Sequence, residues 1–271
     1  MYANKKVLIT GASSGLGKQL AISYAKNQAQ IINLSRNIVK MENLNRDLNK
    51  INNLDNKFYS VDVSNYKEIE NVKNILKQSN NMPDIIINNA AGNFLCLFEN
   101  LTENGWKKIN NIVLDGAFNI YHIFGKTFIS SNKSAVFLNI STTYAEHSSA
   151  FVIPSACAKA GVDNLMKGLS VEWAKHGMRF VAIAPGPMED TGGAKKLDKF
   201  GIFKLYNSIN NPSGRMCSTE EIAELAMFLT SEKADYINGE IVKIDGGEFI
   251  KNQGEFSFIS NIPFYETLIK R

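Results

Sequence analysis

The sequence predicts an α/β fold built on one doubly wound parallel sheet, and three observations carry that expectation. Short apolar runs alternate with longer stretches at helical spacing. The apolar runs are continuous rather than alternating, as in strands buried on both faces. A glycine-rich run falls between the first apolar run and the helical stretch that follows it.

Taken in order, the strands expected are Lys6–Thr10, Gln30–Ser35, Lys57–Val61, Asp84–Asn88, Ala135–Ile140, Arg179–Ala184 and Ile241–Ile244. Between them lie the helical stretches Gly15–Lys26, Lys40–Asn49, Tyr66–Ser79, Glu103–Ser130, Ser155–Lys175 and Glu220–Thr230. In the fifth, Val162, Leu165, Leu169 and Trp173 fall on one face. Trp106, Glu172 and Trp173 read as helix-packing residues. No Pro/Gly/Ser linker interrupts the rhythm, so residues 1–271 read as a single domain. Two segments stand outside it. Residues 188–211 follow a strand and look irregular, which reads as a substrate lid or as a plain surface loop. Residues 249–271 form a C-terminal tail rich in aromatics.

Composition narrows the function. With 44% hydrophobic and 21% charged residues, the chain is of ordinary globular character. A net charge of +4 suits anionic small ligands and is far from a nucleic-acid footprint. No apolar run approaches the ~20 residues of a membrane span. Cys96, Cys157 and Cys217 form no CxxC and read as reduced thiols of a cytoplasmic protein. No signal leader is expected at the N-terminus, and the C-terminal Ile-Lys-Arg is no peroxisomal signal. His122, His147 and His176 are not at ligand spacing, so no metal is expected. His147, close to Tyr144, reads as a pocket residue or as a structural histidine. Lys195, Lys196 and Lys199 in the lid segment read as contacts to a phosphate-bearing ligand or as a solvated face.

The run Gly11-Ala12-Ser13-Ser14-Gly15-Leu16-Gly17 points to dinucleotide binding. Gly11 permits a tight turn, Gly15 lets backbone approach a pyrophosphate, and Gly17 lets helix and strand pack closely. The helix N-terminus then offers free N–H groups to the phosphates. At the end of the second strand no carboxylate stands from Gln30 to Lys40, where one would bind the ribose hydroxyls of NAD. Arg36 instead offers a planar fork for a 2′-phosphate, which predicts NADPH; the alternative is a solvated arginine. Asp62-Val63 would meet the adenine edge, or be an ordinary strand end.

Together with Asn88-Asn89-Ala90-Ala91-Gly92, Pro185-Gly186 and Asp245-Gly246-Gly247, these residues resemble the short-chain dehydrogenase/reductase superfamily from Lys6 to about Gly247. The resemblance implies a Rossmann-type sheet of about seven strands and a homotetramer. The superfamily's usual Tyr-x3-Lys is altered: Lys159 is present, but Ser155 stands four residues before it, and Val113 occupies the usual tetrad Asn position. Either the chain is a non-catalytic relative, or its chemistry is relocated.

The second alternative has support. The stretches Asn88–Phe94, Thr143–Glu146, Phe151–Gly161 and Pro185–Pro187, with Asp245–Glu248 and Gly254–Phe256, resemble the 2,4-dienoyl-CoA reductases. That resemblance implies a catalytic Tyr144 assisted by Asn93, with Lys159 and Ser155 beside them. It also implies nucleotide contacts from Gly11, Ser13, Ser14, Gly15, Leu16, Gly17, Arg36, Asp62, Val63, Asn89, Ala90, Lys159, Pro185 and Gly186. The expected activity is NADPH-dependent reduction of a conjugated dienoyl or enoyl CoA thioester, as in unsaturated fatty-acid oxidation. The alternatives are a 3-oxoacyl or other carbonyl reductase, and an NADPH-binding regulatory protein without turnover.

Overall fold

Seven strands form one sheet in the order β3-β2-β1-β4-β5-β6-β7, every neighbouring pair parallel, in a computed structural model that describes residues 2–188, 201–254 and 257. The strands are β1 Lys6–Thr10, β2 Gln30–Ser35, β3 Lys57–Ser60, β4 Ile85–Asn88, β5 Ala135–Ile140, β6 Met178–Pro185 and β7 Ile241–Ile244. Their apolar runs are continuous because helices cover both faces. All eight residues of β6 are buried.

One face is covered by α3 (Tyr66–Gln78), α4 (Glu103–Asn110), α5 (Gly116–Ser130) and α7 (Ile153–Glu172). Ile69, Val72, Phe124, Val162 and Met166 pack there against Leu8, Ile86 and Phe137 of the strands. The other face carries α1 (Gly15–Lys26), α2 (Ile38–Asn52) and α9 (Thr219–Thr230), whose Leu20, Leu44 and Ile222 meet Val7, Ile31 and Ile183. Local capping sets several starts. Asn37, Asn65 and Thr102 accept from backbone N–H groups in the first turns of α2, α3 and α4, and Ser218 with Glu221 completes a capping box on α9.

Three elements depart from the sequence expectations. The stretch Glu103–Ser130 is two helices joined by a π turn over Asn111–Asp115, with Val113 buried inside it. The backbone passes Val63 so closely at Gly116 that a Cβ there would stand 2.9 Å from Val63 Cγ2. The segment 188–211 is not wholly irregular: its described part holds a helix, α8, over Ile202–Asn210. Residues 189–200, including Lys195, Lys196 and Lys199, lie outside the described residues, as does most of the tail beyond 254. The start of the tail is a short helix, α10, over Glu248–Gln253. The packing roles divide. Trp173 is buried against Gly125, whereas Trp106 is 37% exposed and Glu172 faces solvent.

The chain turns from β1 to β2 on one side and returns to β4 on the other. The crevice beyond the carboxyl ends of β1 and β4 is where an open α/β sheet binds ligands.

Candidate active site

A cleft of about 480 Å³ opens at this crevice. Its walls include Gly11, Ser13, Ser14, Gly15, Leu16 and Gly17 after β1, Arg36 after β2, Asp62 and Val63 after β3, and Asn89 to Asn93 after β4. Tyr144, Ser155, Lys159, Pro185 and Gly186 complete it from the β5 and β6 side. The expected nucleotide contacts, together with Asn93, Tyr144, Ser155 and Lys159, line this one cleft, whereas His147 does not. Thr142, Ile112 and Met188 line it too and carried no signal in the sequence.

The glycine loop is shaped to receive a dinucleotide. Gly11 and Gly15 adopt φ of +69° and +54°, the left-handed region that glycine enters without strain. A Cβ on Gly17 would lie 2.5 Å from both Asn89 Nδ2 and the Gly11 carbonyl oxygen. Asn89 clamps the loop from β4 by donating to the Thr10 carbonyl at 2.9 Å. Ser14, the N-cap of α1, makes no side-chain cap bond, so the first N–H groups of the helix point to the cleft without that partner. These residues fit a bound pyrophosphate.

At the adenosine end, Arg36 pairs with Asp62 at 3.6 Å while its side chain stays 66% exposed. Burial works against the Asp62 carboxylate, but bonds from the Ser64 hydroxyl and amide, and the Arg36 charge, outweigh it and hold its pKa below the usual value. The guanidinium is thus oriented yet open to an incoming anion. Ser13 and Ser35 share a hydrogen bond at 2.8 Å beside it.

At the other end, α6 (Tyr144–His147) projects from the turn after β5. The Asn93 amide donates to the Tyr144 hydroxyl at 3.2 Å, and the same hydroxyl lies 3.2 Å from Ser155 Oγ. Asn93 Oδ1 is occupied by the Phe94 N–H at 2.9 Å, which fixes the amide's direction. Lys159, only 5% exposed, follows Ser155 by one turn of α7 and donates to the Ile140 carbonyl. Burial lowers its pKa to about 8, with Asp163 pulling the other way. Such an array presents hydroxyl and amide donors at one point and a buried cation next to it.

His147 is not part of this array. It stacks on buried Phe249 of α10, ring centroids 5.1 Å apart, and Lys243 lies over the same ring at 4.2 Å. The α10 segment therefore braces the short helix that carries Tyr144. Asp163, Ser141 and Asn139, buried beside Lys159, escaped the sequence reading. The four-residue spacing from Lys159 to Asp163 on a helix was the available signal.

A family model described as enoyl-(acyl carrier protein) reductase, of the short-chain dehydrogenase/reductase type, matches residues 11–248. This chain is a short-chain dehydrogenase/reductase. It shares 40% identity over 253 residues with a Bacillus subtilis protein named probable 2,4-dienoyl-CoA reductase, (2E)-enoyl-CoA-producing, covering 91% of this chain and 97% of that one. A short-chain dehydrogenase from Bacillus anthracis is 40% identical with a TM-score of 0.83, over 90% of this chain and 96% of that one. A gluconate 5-dehydrogenase from Burkholderia cenocepacia, solved with NADP and tartrate, is 26% identical with a TM-score of 0.84, over 91% and 95%. As a short-chain dehydrogenase/reductase, the chain is an oxidoreductase enzyme that takes a nicotinamide cofactor.

Proposed function

We propose that this short-chain dehydrogenase/reductase reduces a conjugated dienoyl-CoA thioester with NADPH. The observation that carries the reading is the hydrogen-bonded array of Asn93, Tyr144 and Ser155 next to buried Lys159, in the cleft of the glycine loop. When bound, the reduced nicotinamide supplies hydride to the substrate. Negative charge then gathers on the thioester oxygen of a dienolate, and Tyr144 O–H and Asn93 N–H are placed to donate to it. Lys159 binds the nicotinamide ribose and keeps the local field positive. Ser155 holds the Tyr144 hydroxyl in place. Water returns the proton to carbon, so no side chain has to deliver it to oxygen.

A carbonyl reductase makes a different demand, since its alkoxide oxygen must be protonated. Ser155 stands where the usual phenol would serve, and an aliphatic hydroxyl is a far weaker acid. The named relatives support the dienoyl reading in substrate, and the Arg36 fork supports NADPH. No helix among the described residues is long and apolar enough to cross a membrane. The three cysteines are unpaired thiols, which supports a reducing, cytoplasmic setting. Phe118 on α5 and Val171 on α7 are 46% and 80% exposed, which supports pairing of these helices in a homotetramer. Residues 1–271 would work as one domain.

The test follows NADPH absorbance with a dienoyl-CoA set beside a 3-oxoacyl-CoA. Faster loss with the dienoyl thioester is expected. Preference for the 3-oxoacyl thioester, or no turnover on either, would overturn the reading.

A further inference from the structure

One buried carboxylate plays no part in the scheme above. Asp163 follows Lys159 by four residues on α7, so the two side chains leave the same face of the helix. Both are buried, at 8% and 5% exposure. Three consecutive residues of β5 and its exit hold the pair. Ile140 accepts from the lysine through its carbonyl. Ser141 Oγ donates to Asp163 Oδ2 at 2.6 Å, and Asn139 Nδ2 donates to Oδ1 at 3.1 Å. Beyond them the bonding continues. Asn88 Nδ2 donates to Asn139 Oδ1 at 3.2 Å while Asn88 Oδ1 accepts from the Thr10 hydroxyl at 3.4 Å, and Thr10 Oγ1 accepts from the N–H groups of Asn89 and Ala90 at 2.9 Å. A buried polar thread thus joins α7 to the loop that faces the nucleotide.

We propose that Asp163 is the positioning residue of Lys159: held by Ser141 and Asn139, its carboxylate keeps the lysine ammonium charged and aimed into the nucleotide cleft. The proposal rests on the reading of Lys159 as a nucleotide ligand and is independent of the thioester. A buried ammonium loses its hydration, and only an opposite charge or good acceptors restore what it loses. Among the described residues Asp163 is the charge that opposes the burial of Lys159. Burial likewise raises the Asp163 carboxyl, against bonds from Ser141 and Asn139 and the charges of Lys159 and Lys167. The remaining titratable groups around Asp163 do not replace it. Tyr121 of α5 has its phenol pushed upward by burial and stays neutral. Glu146 and Lys243, across a small pocket from Asp163, neutralise each other at 2.6 Å.

The test is the pH dependence of NADPH affinity, read by nucleotide fluorescence from about pH 6 to about pH 10. Wild type should lose affinity along an alkaline limb centred near 8, where Lys159 gives up its proton. Asp163→Asn should move that limb down by about one pH unit or more, and Asp163→Glu should return it toward wild type. Lys159→Gln should abolish it. A defect of packing alone would weaken binding equally at every pH, so a uniform loss, or an unshifted limb in folded Asp163→Asn, overturns the proposal. A limb that persists in Lys159→Gln overturns the underlying reading of the lysine as well. Should Asp163→Asn fail to fold, wild type still decides. A buried pair is poorly screened, so raising salt from about 0.05 M to about 0.5 M should leave the midpoint in place. A midpoint that drifts with salt as an exposed group does, or no limb at all, overturns it.

Discussion

The Asn93 amide donates to the Tyr144 hydroxyl at 3.2 Å, which joins the loop after β4 to the short helix after β5. Neither residue is near the other in sequence, and each is oriented by a further bond: Asn93 by the Phe94 N–H, Tyr144 by Ser155. Two donors prepared in this way suit an oxygen that gains charge during reaction, because little reorganisation is left to do.

Removing either donor should therefore slow turnover more than binding. Tyr144→Phe and Asn93→Ala should each cut dienoyl-CoA reduction by about 10²–10³-fold, with NADPH affinity retained. Ser155→Ala, which only loosens the Tyr144 hydroxyl, should cost less. Single-turnover NADPH oxidation separates these effects. A Tyr144→Phe variant at wild-type rate on every thioester tried would sink the assignment.

Cofactor choice should follow Arg36. Its guanidinium is oriented by Asp62 at 3.6 Å but remains largely exposed. A charge-assisted contact to a phosphate contributes about 1.5–3 kcal/mol, so Arg36→Ala should weaken NADPH about tenfold or more while NADH changes little. Titrating both nucleotides against both proteins checks this, and equal weakening of the two would count against a 2′-phosphate contact.

Gly17→Ala offers a test of the glycine loop itself. The added Cβ would meet the Asn89 amide and the Gly11 carbonyl at 2.5 Å, and the carbonyl belongs to a turn that cannot give way freely. Overpacking of this kind costs about 1–3 kcal/mol. The variant should melt earlier than wild type and lose nucleotide affinity. Unchanged melting and unchanged NADPH affinity would show that the loop is looser than its contacts imply.

Lys159 should leave a mark on stability as well. Its pKa is about 8 in the fold against an ordinary 10.5. Below the lower value both states are protonated, and the fold bears the cost of a buried charge. Between the two values the unfolded chain holds more protons, so stability rises with pH. Relative to Lys159→Met, wild type should gain up to about 3 kcal/mol between about pH 7 and pH 10. Denaturant unfolding of the two proteins at several pH values measures the gap. Parallel curves would mean that the lysine is not desolvated.

Features that depend on near neighbours in the chain were legible from residue order alone. The bounds of β1, β2, β5, β7 and α1 were legible because a continuous apolar run and a helical period are local patterns. The glycine loop was legible because its turn is built from consecutive residues. Tyr144, Asn93 and Ser155 were singled out only by their likeness to a family, since no local rule links residues 51 and 11 positions apart. Their meeting was decided by the strand order, which sets β4 beside β5 and brings both carboxyl ends to one crevice. The π turn before α5 was equally hidden, and so was the close passage of Gly116 over Val63 that follows it, a contact between residues far apart in the chain. So were the pairing of Arg36 with Asp62 and the burial of Asp163 beside Lys159. A charged residue on a helix reads as solvated until the packing of the neighbouring strand shows that water is excluded and which partner has taken its place.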